Sequence, residues 1–336
     1  APSVRAIVDG WFTDRLADMN QREPEVARYL IQNSLWWLGT TGIDGIRQDT
    51  LQYMPRPFIR ELCLAIHRQY PRLRMVGEVW DADPAYPAFF MGGRPGWDGI
   101  DTDLDAVFDF PLWQTSRDVF THKKPVSALR NTLKLDGLYP DASRLVTMVG
   151  NHDVARFLSL EGGTLTGAML HTAFTLATRG TPQLYYGDEI LMTGATHDSN
   201  RGDFPGGFPG DERNAFEAAG RPGDAGRMYQ WTRDWLALRR EHATMRRGAL
   251  IDLAWDDESY LFARQDADDV LLIAINRSAA AREISAPADG IRMPAKADLR
   301  PLLGGAGTGR VTGGTITVTV PPETVVPFGI VGKEPR

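Results

Sequence analysis

The sequence predicts an α/β fold, a partial (β/α)8 TIM barrel followed by a small antiparallel β-sandwich domain. Three observations predict it. Between Ile43 and Tyr186 short apolar segments alternate with longer stretches of helical period, an order that calls for parallel strands joined by helical crossovers. Acidic residues end several of those segments: Asp49, Glu78 and Asp153. A closed barrel draws on all its strand ends, whereas a doubly wound sheet binds at one switch point. From about Arg247 the period shortens to β-branched runs separated by Asp, Gly and Pro, the mark of an antiparallel β-domain.

The elements follow in order. Residues 1–20 read as an irregular excursion rather than a domain start. Glu23–Leu38 carries apolar residues at Val26, Leu30, Ile31, Leu35 and Leu38 and is predicted helical, with Pro24 suited to its first turn. Gly39 and Gly42 break it. Ile43–Gln48 is a strand delivering Asp49. Pro57–Tyr70 is a helix with Phe58, Leu62, Ala65 and Ile66 on one side, and Leu73–Gly77 is the strand delivering Glu78. Ala82–Asp103, rich in Pro, Gly and aromatics, is expected to be an ordered loop. Ala106–Phe110 is a third strand, followed by helix to about Leu133. Leu145–Val149 is a fourth strand delivering Asn151, His152 and Asp153. Thr166–Thr178 is a helix and Gln183–Tyr186 a fifth strand. Residues 191–224 form a long loop, and Ala225–Arg240 a final helix. The β-domain strands are Ser259–Ala263, Val270–Asn276, Thr315–Val320 and Val325–Val331. The domain boundary is thus expected between residues 246 and 247, giving 1–246 and 247–336.

At 336 residues, 43% hydrophobic and 24% charged, the chain can bury one large core and a smaller one. A net charge of -6 with mixed signs gives no concentrated basic face for nucleic acid. No apolar run reaches the length of a membrane span. The single Cys63 excludes an intrachain disulfide and reads as a small buried hydrophobe. The compartment is left open.

The three acids suit acetal cleavage. That reaction needs a proton on the leaving oxygen and negative charge beside the anomeric carbon, from two carboxyls about 5–5.5 Å apart in a retaining enzyme. Arg47 shares a strand face with Asp49 and is expected to keep it ionised. Glu78 stands among Met75, Val76, Val79 and Trp80, a setting that favours its protonated form. His152 and Asp153 can grip sugar hydroxyls as the ring flattens. Singly, each acid could instead cap a helix or pair with a cation. A catalytic metal is disfavoured, since Arg47 beside Asp49 would repel a cation. A structural calcium is compatible with Asp and Asn in the loops.

Along essentially its whole length the chain resembles the α-amylase family of glycoside hydrolases, family 13. Gly42-Ile43-Asp44-Gly45-Ile46-Arg47-Gln48-Asp49 resembles that family's fourth-strand motif, Gly77-Glu78-Val79-Trp80 its fifth, and Val149-Gly150-Asn151-His152-Asp153 its seventh. Leu16-Ala17-Asp18-Met19-Asn20 is similar to the motif closing the excursion after the third strand. Gly180-Thr181-Pro182 through Tyr185-Tyr186-Gly187-Asp188-Glu189 looks like the eighth-strand region. The resemblance implies barrel strands 4–8 in this chain. It implies Asp49 as nucleophile, Glu78 as general acid/base and Asp153 as transition-state stabiliser. Arg47, His152, Asn151, Trp80 and Arg156 are then substrate-binding candidates, with a loop lock as the alternative role of Arg156. Aromatics near 86–97 are candidates for ring stacking, and Asp188 and Arg201 for the cleft. Asp203-Phe204-Pro205-Gly206-Gly207 and Asp109-Phe110-Pro111 point toward the cyclomaltodextrinase, neopullulanase and maltogenic-amylase group. The implied activity is hydrolysis of α-1,4 links in maltooligosaccharides, cyclodextrins or starch-like glucans, with room for transglycosylation and no cofactor in the chemistry. Implied partners are the glucan itself and a complementary N-terminal segment carrying barrel strands 1–3. Homo-oligomers are open.

Two departures stand out. The family's third-strand Asp and His motif is absent from this sequence, and Gln52-Tyr53 stands where typical amylases carry a Lys-His pair. The competing readings are a glucosyltransferase, isomerase or α-glucosidase on the same scaffold, or a noncatalytic glycan-binding relative.

Overall fold

The computed structural model describes residues 10, 11, 13 and 15–332. Much of the expected excursion at 1–20 therefore lies outside the described residues. Within it, Leu16–Asn20 is exposed, and Leu16 forms an antiparallel bridge with Thr13. The chain forms two compact units, one comprising the chain up to Pro111 with Leu135–Val146, the other Leu112–Lys134 with the chain from Thr147.

In the first unit, helix α1 (Pro24–Thr41) has proline in its first turn and ends at Gly42, whose φ of 66° lets its N–H reach the Leu38 carbonyl. Strand β1 (Gly45–Gln48), helix α2 (Arg56–Gln69), strand β2 (Arg74–Gly77), the short helix α3 (Ala85–Phe90) and strand β3 (Ala106–Val107) follow. The strands pair in parallel in the order β1-β2-β3. Leu51, Phe58, Ile59, Leu62, Cys63, Ile66, Met75, Val79 and Val107 bury their side chains in a common core. Cys63 is fully buried and its thiol is pushed up to about 12, chiefly by that burial.

The second unit holds most of helix α4 (Phe110–Phe120), helix α5 (Ser127–Leu133), strand β4 (Val146–Met148, the boundary falling after its first residue), helix α6 (Leu165–Ala177), strand β5 (Thr181–Gln183) and helices α7 (Asp224–Glu241) and α8 (Ala243–Arg247). Strand β4 pairs with β5. Eight strands then form one antiparallel sheet: β6 (Ala249–Trp255), β7 (Ser259–Gln265), β8 (Val270–Asn276), β9 (Arg282–Pro287), β10 (Lys296–Pro301), β11 (Thr308–Thr312), β12 (Thr315–Val320) and β13 (Thr324–Ile330). Their order is β6-β7-β8-β13-β10-β11-β12-β9.

Two cores organise this unit. Leu261, Leu272, Ile284, Val311, Ile316, Val318 and Phe328 fill the sheet's own interior. The alternate residues Tyr260, Phe262, Leu271, Ile273 and Ile275 pack with Phe174, Trp235, Leu238 and Met245 from the helices. That explains why β8 and all of β7 but Gln265 are buried, since each face of those strands meets a different core.

The structure corrects several expectations. The expected strand Ala106–Phe110 is only Ala106–Val107, and Phe110 opens α4. The helix expected to reach Leu133 is two helices, broken where His122 takes φ 61° just before Lys123-Lys124-Pro125. The fifth strand lies at Thr181–Gln183, not Gln183–Tyr186. The loop Ala82–Asp103 contains α3. The β-domain has eight strands rather than four, joined in one hydrogen-bonded sheet that encloses its own core. Strands β9 to β11 escape a hydrophobicity scan because they alternate exposed and buried residues, as in Arg282–Pro287.

Candidate active site

Arg47, Asp49 and Glu78 form one cluster in the first unit. In the parallel register Arg47 lies opposite Val76 and Gln48 opposite Gly77. The pairing continues past the strand ends: Glu78 N–H donates to the Gln48 carbonyl at 2.8 Å, and Leu51 N–H to the Glu78 carbonyl at 3.1 Å. Side chains alternate across a strand, so Arg47 and Asp49 share the face that carries Glu78. Thr50 then turns the chain with φ 50°, a left-handed conformation that a β-branched residue rarely adopts. Gly77 has no room for a larger residue, since a Cβ there would lie 2.9 Å from Leu51 Cδ1 and 3.0 Å from Leu104 Cδ2.

Arg47 Nη2 donates to Glu78 Oε1 at 2.7 Å, while Nη1 lies 3.4 Å from Asp49 Oδ1. The expected Arg47–Asp49 pair is present, and the same guanidinium also binds Glu78 at shorter range. The parallel partner strand brings Glu78 within closer reach than the residue two positions along the same strand. The Glu78 side chain is 8% exposed and that of Asp49 62%. Burial, then a hydrogen bond to Asp49, raises the Glu78 pKa to about 7 against the opposing pull of Arg47. A carboxyl in this range can both hold and release a proton near neutrality.

Trp80 follows on the same loop. Its N–H donates to Gln52 Oε1 at 2.6 Å, which gives the Gln52 of the departing Gln52-Tyr53 pair a positioning role. The indole stacks on Phe110 at 4.9 Å and 13° and is 43% exposed.

The second unit holds a second cluster, after β4. Asp153 accepts from Arg201 Nη2 at 2.8 Å and lies 3.1 Å from His152 Nε2. Its N–H donates to Asn151 Oδ1 at 2.9 Å. Arg201 Nε and Asn200 Nδ2 both donate to the His152 carbonyl at 3.0 Å, so the 199–201 turn fixes the segment that carries Asp153. His197, which sequence reading passes over, places Nε2 3.8 Å from Asp153 Oδ1. Its 44-residue separation from Asp153 offers no local signal.

Of its two expected roles, Arg156 takes the loop lock. Its side chain is 1% exposed, and it donates to Asp188 Oδ1, the Tyr186 carbonyl and the Asn200 carbonyl at 2.8–2.9 Å. It pins the loops after β4 and β5 together with the 199–201 turn. Asp188, whose side chain is 14% exposed, is pushed up to about 7 by desolvation although Arg156 opposes this. Asp109, beyond β3, is buried and its N–H donates to the Val146 carbonyl at 2.9 Å. Among the described residues no group of three or more His, Cys, Asp or Glu is placed to hold a metal ion.

Residues 10–237 match the alpha amylase catalytic-domain family. A cyclomaltodextrinase of Geobacillus thermopakistaniensis (strain MAS1) is 30% identical over 286 residues, 83% of this chain and 44% of that protein. A beta/alpha-amylase of Paenibacillus polymyxa is 30% identical over 78% of this chain and 20% of its own length. The chain therefore spans less than half the length of these curated relatives. Among solved structures, an Anoxybacillus alpha-amylase superposes with a TM-score of 0.81 at 26% identity, covering 100% of this chain and 68% of that one. The structure of an alpha-amylase from Geobacillus thermoleovorans complexed with acarbose gives 0.82 at 24% identity, covering 98% of this chain and 69% of that one. With its strand-end acids, its C-terminal antiparallel domain and a family match over most of its length, this chain belongs to the alpha-amylase family of glycoside hydrolases.

Proposed function

We propose that the chain carries the reacting carboxyls of a retaining hydrolase of α-1,4-glucosidic bonds in maltooligosaccharides, cyclodextrins or starch-like glucans. The observation that carries this reading is the Glu78–Asp49 pair: a buried carboxyl near pKa 7 hydrogen-bonded to an exposed one on the neighbouring strand end, with one arginine shared between them. Glu78 donates its proton to the departing glycosidic oxygen while Asp49 attacks the anomeric carbon. The C–O bond to the leaving sugar breaks as the Asp49 ester forms. Glu78, now a carboxylate, takes a proton from water, whose oxygen displaces Asp49. A sugar hydroxyl in place of water gives transglycosylation, a route favoured by the likeness to proteins named cyclomaltodextrin glucanotransferase.

In this reading Asp153, held by Arg201 and His152, grips ring hydroxyls in the transition state together with Asn151. Trp80 offers its exposed face for stacking. The strands belong to a (β/α)8 barrel, completed by a further βα segment. The outer edge of β1 has no strand partner among the described residues, and α1 exposes Tyr29, Trp36 and Trp37; open edges and apolar faces of this kind call for cover. The domains divide at 246/247 by function, the C-terminal part being structural.

The test is anomeric NMR of the first product with Glu78→Gln as control. Retained α-configuration and a loss of at least ~100-fold in hydrolysis are expected. Inverted product, or near-normal turnover of the variant, defeats the assignment.

A further inference from the structure

One cavity of the first unit is not lined by the acids. It is a groove of about 1040 Å³ between the N-terminal ends of α1 and α2 and the loop that follows α3. Its lining includes Arg28, Gln32, Arg56, Glu61, Phe89 and Trp97, and none of Arg47, Asp49, Glu78 or Trp80.

One wall is an ordered aromatic stack. Trp97 lies on Phe89 at 5.1 Å with planes 7° apart, and the Arg56 guanidinium lies 3.6 Å from the Phe89 centroid. Arg56 is nearly buried and donates to the Ile100 carbonyl at 2.6 Å. Trp97 sits in a tight turn closed by Gly96 N–H to Ile100 O and Gly99 N–H to Gly96 O. Gly96 is required there, because a Cβ would lie 2.8 Å from Arg56 Nη1 and 2.9 Å from Phe89 Cε2. Packing thus fixes the base of the stack, yet Trp97 is 88% exposed. An indole held flat and open to water is a platform that the fold itself does not use.

Charge selects the occupant. Two of the groove's arginines are matched by acids, Arg56 by Asp98 at 3.3 Å and Arg28 by Glu25 at 3.0 Å, and Glu61 adds a further negative charge to the lining. A polyanion finds no unpaired cluster there. A neutral ligand with an apolar face and a polar rim fits, and that is the chemistry of a pyranose ring.

We propose that this groove binds α-glucan chain as a second sugar site, with Trp97 as its stacking platform, so that long polymers are held at a place other than the reacting carboxyls. The proposal rests on the α-glucan reading of the protein.

The experiment compares wild type, Trp97→Ala and Trp97→Phe, measuring retardation in native gels cast with soluble starch and, separately, KM for starch and for maltotriose. Trp97→Ala should weaken starch retardation about fivefold to tenfold, the effect of losing one aromatic stack. Its KM for starch should rise at least about threefold more than its KM for maltotriose, and Trp97→Phe should recover most of both. Unchanged retardation overturns the proposal and leaves the groove to be covered by protein. An equal rise in both KM values also overturns it, since it places Trp97 in the reacting cleft. Failure of the α-glucan reading itself shows differently, as wild type that neither cleaves nor is retarded by starch.

Discussion

At the scale of single residues the proposed chemistry turns on how Glu78 keeps its proton. Its folded pKa of about 7 lies above the ordinary 4.5, so the native state binds the proton more tightly than the unfolded chain. Burying this carboxyl therefore favours folding at acid pH. That contribution is lost as pH rises from the unfolded value through about 7. Glu78→Gln removes the charge, and its melting temperature should exceed that of wild type at pH 8 and converge on it near pH 4. A lower value at pH 8 would count against the buried-acid assignment. Arg47 opposes the raised pKa. Arg47→Met should therefore move the alkaline limb of kcat/KM to higher pH while lowering its plateau, as read from a pH–rate profile. An unmoved limb means that another group sets it. The acids themselves were legible because each ends an apolar run. The contact of Arg47 with Glu78 was not, because it depends on which strand lies alongside β1.

At the scale of elements, close approach governs the site. Gly77 ends β2 with the Leu51 and Leu104 methyl groups against it. Gly77→Ala should cost about 1–3 kcal/mol by overpacking, and should lower activity by displacing Glu78. Denaturant midpoints and kcat/KM check this together, and an intact variant on both counts would refute the account. At the far end of the same strands, His67 of α2 bridges Asp103 at 2.7 Å and Asp105 at 3.0 Å. Burial lowers its pKa, but the two carboxylates outweigh this and the net shift is upward from 6.5. The bridge therefore stabilises below the unfolded value and fades as pH rises through the folded one. The melting difference between wild type and His67→Gln should be larger at pH 6 than at pH 9; a pH-independent difference would make the bridge a packing contact only. Helices of strong period, α1, α2, α6 and α7, lay within a few residues of their expected bounds. The short strands β3 and β5 did not, because two or three residues carry too little pattern to place an end.

For the whole molecule the C-terminal sheet matters through a shared core. Tyr260, Phe262 and Ile273 pack with Trp235, Leu238 and Met245, and Arg277 donates to the Val119 and Lys124 carbonyls at 2.9 and 2.6 Å. Removing residues 249–336 should expose that apolar face and give insoluble protein. A soluble truncated form with wild-type turnover would show the sheet to be dispensable. Trp235→Ala, at a fully buried position, should cost about 3–5 kcal/mol, read as a shifted denaturant midpoint. The expected boundary at 246/247 follows the change of sequence period. The compact units follow contact instead, and put the sheet with α5 to α8.

The sequence by itself determined which acids end strands, the residues that the proposed reaction uses. Apolar period and the acid after each strand are local properties, and so are the proline and glycine that bound α1. Only the tertiary structure decided the partners. It paired Arg47 with Glu78, Arg201 and His197 with Asp153, and Arg156 with Asp188, and it set Trp97 flat on Phe89. It also set how deeply each carboxyl is buried. A pKa near 7 or a stacked platform is a property of distance and dielectric, which strands and loops far apart in the chain create only when they pack.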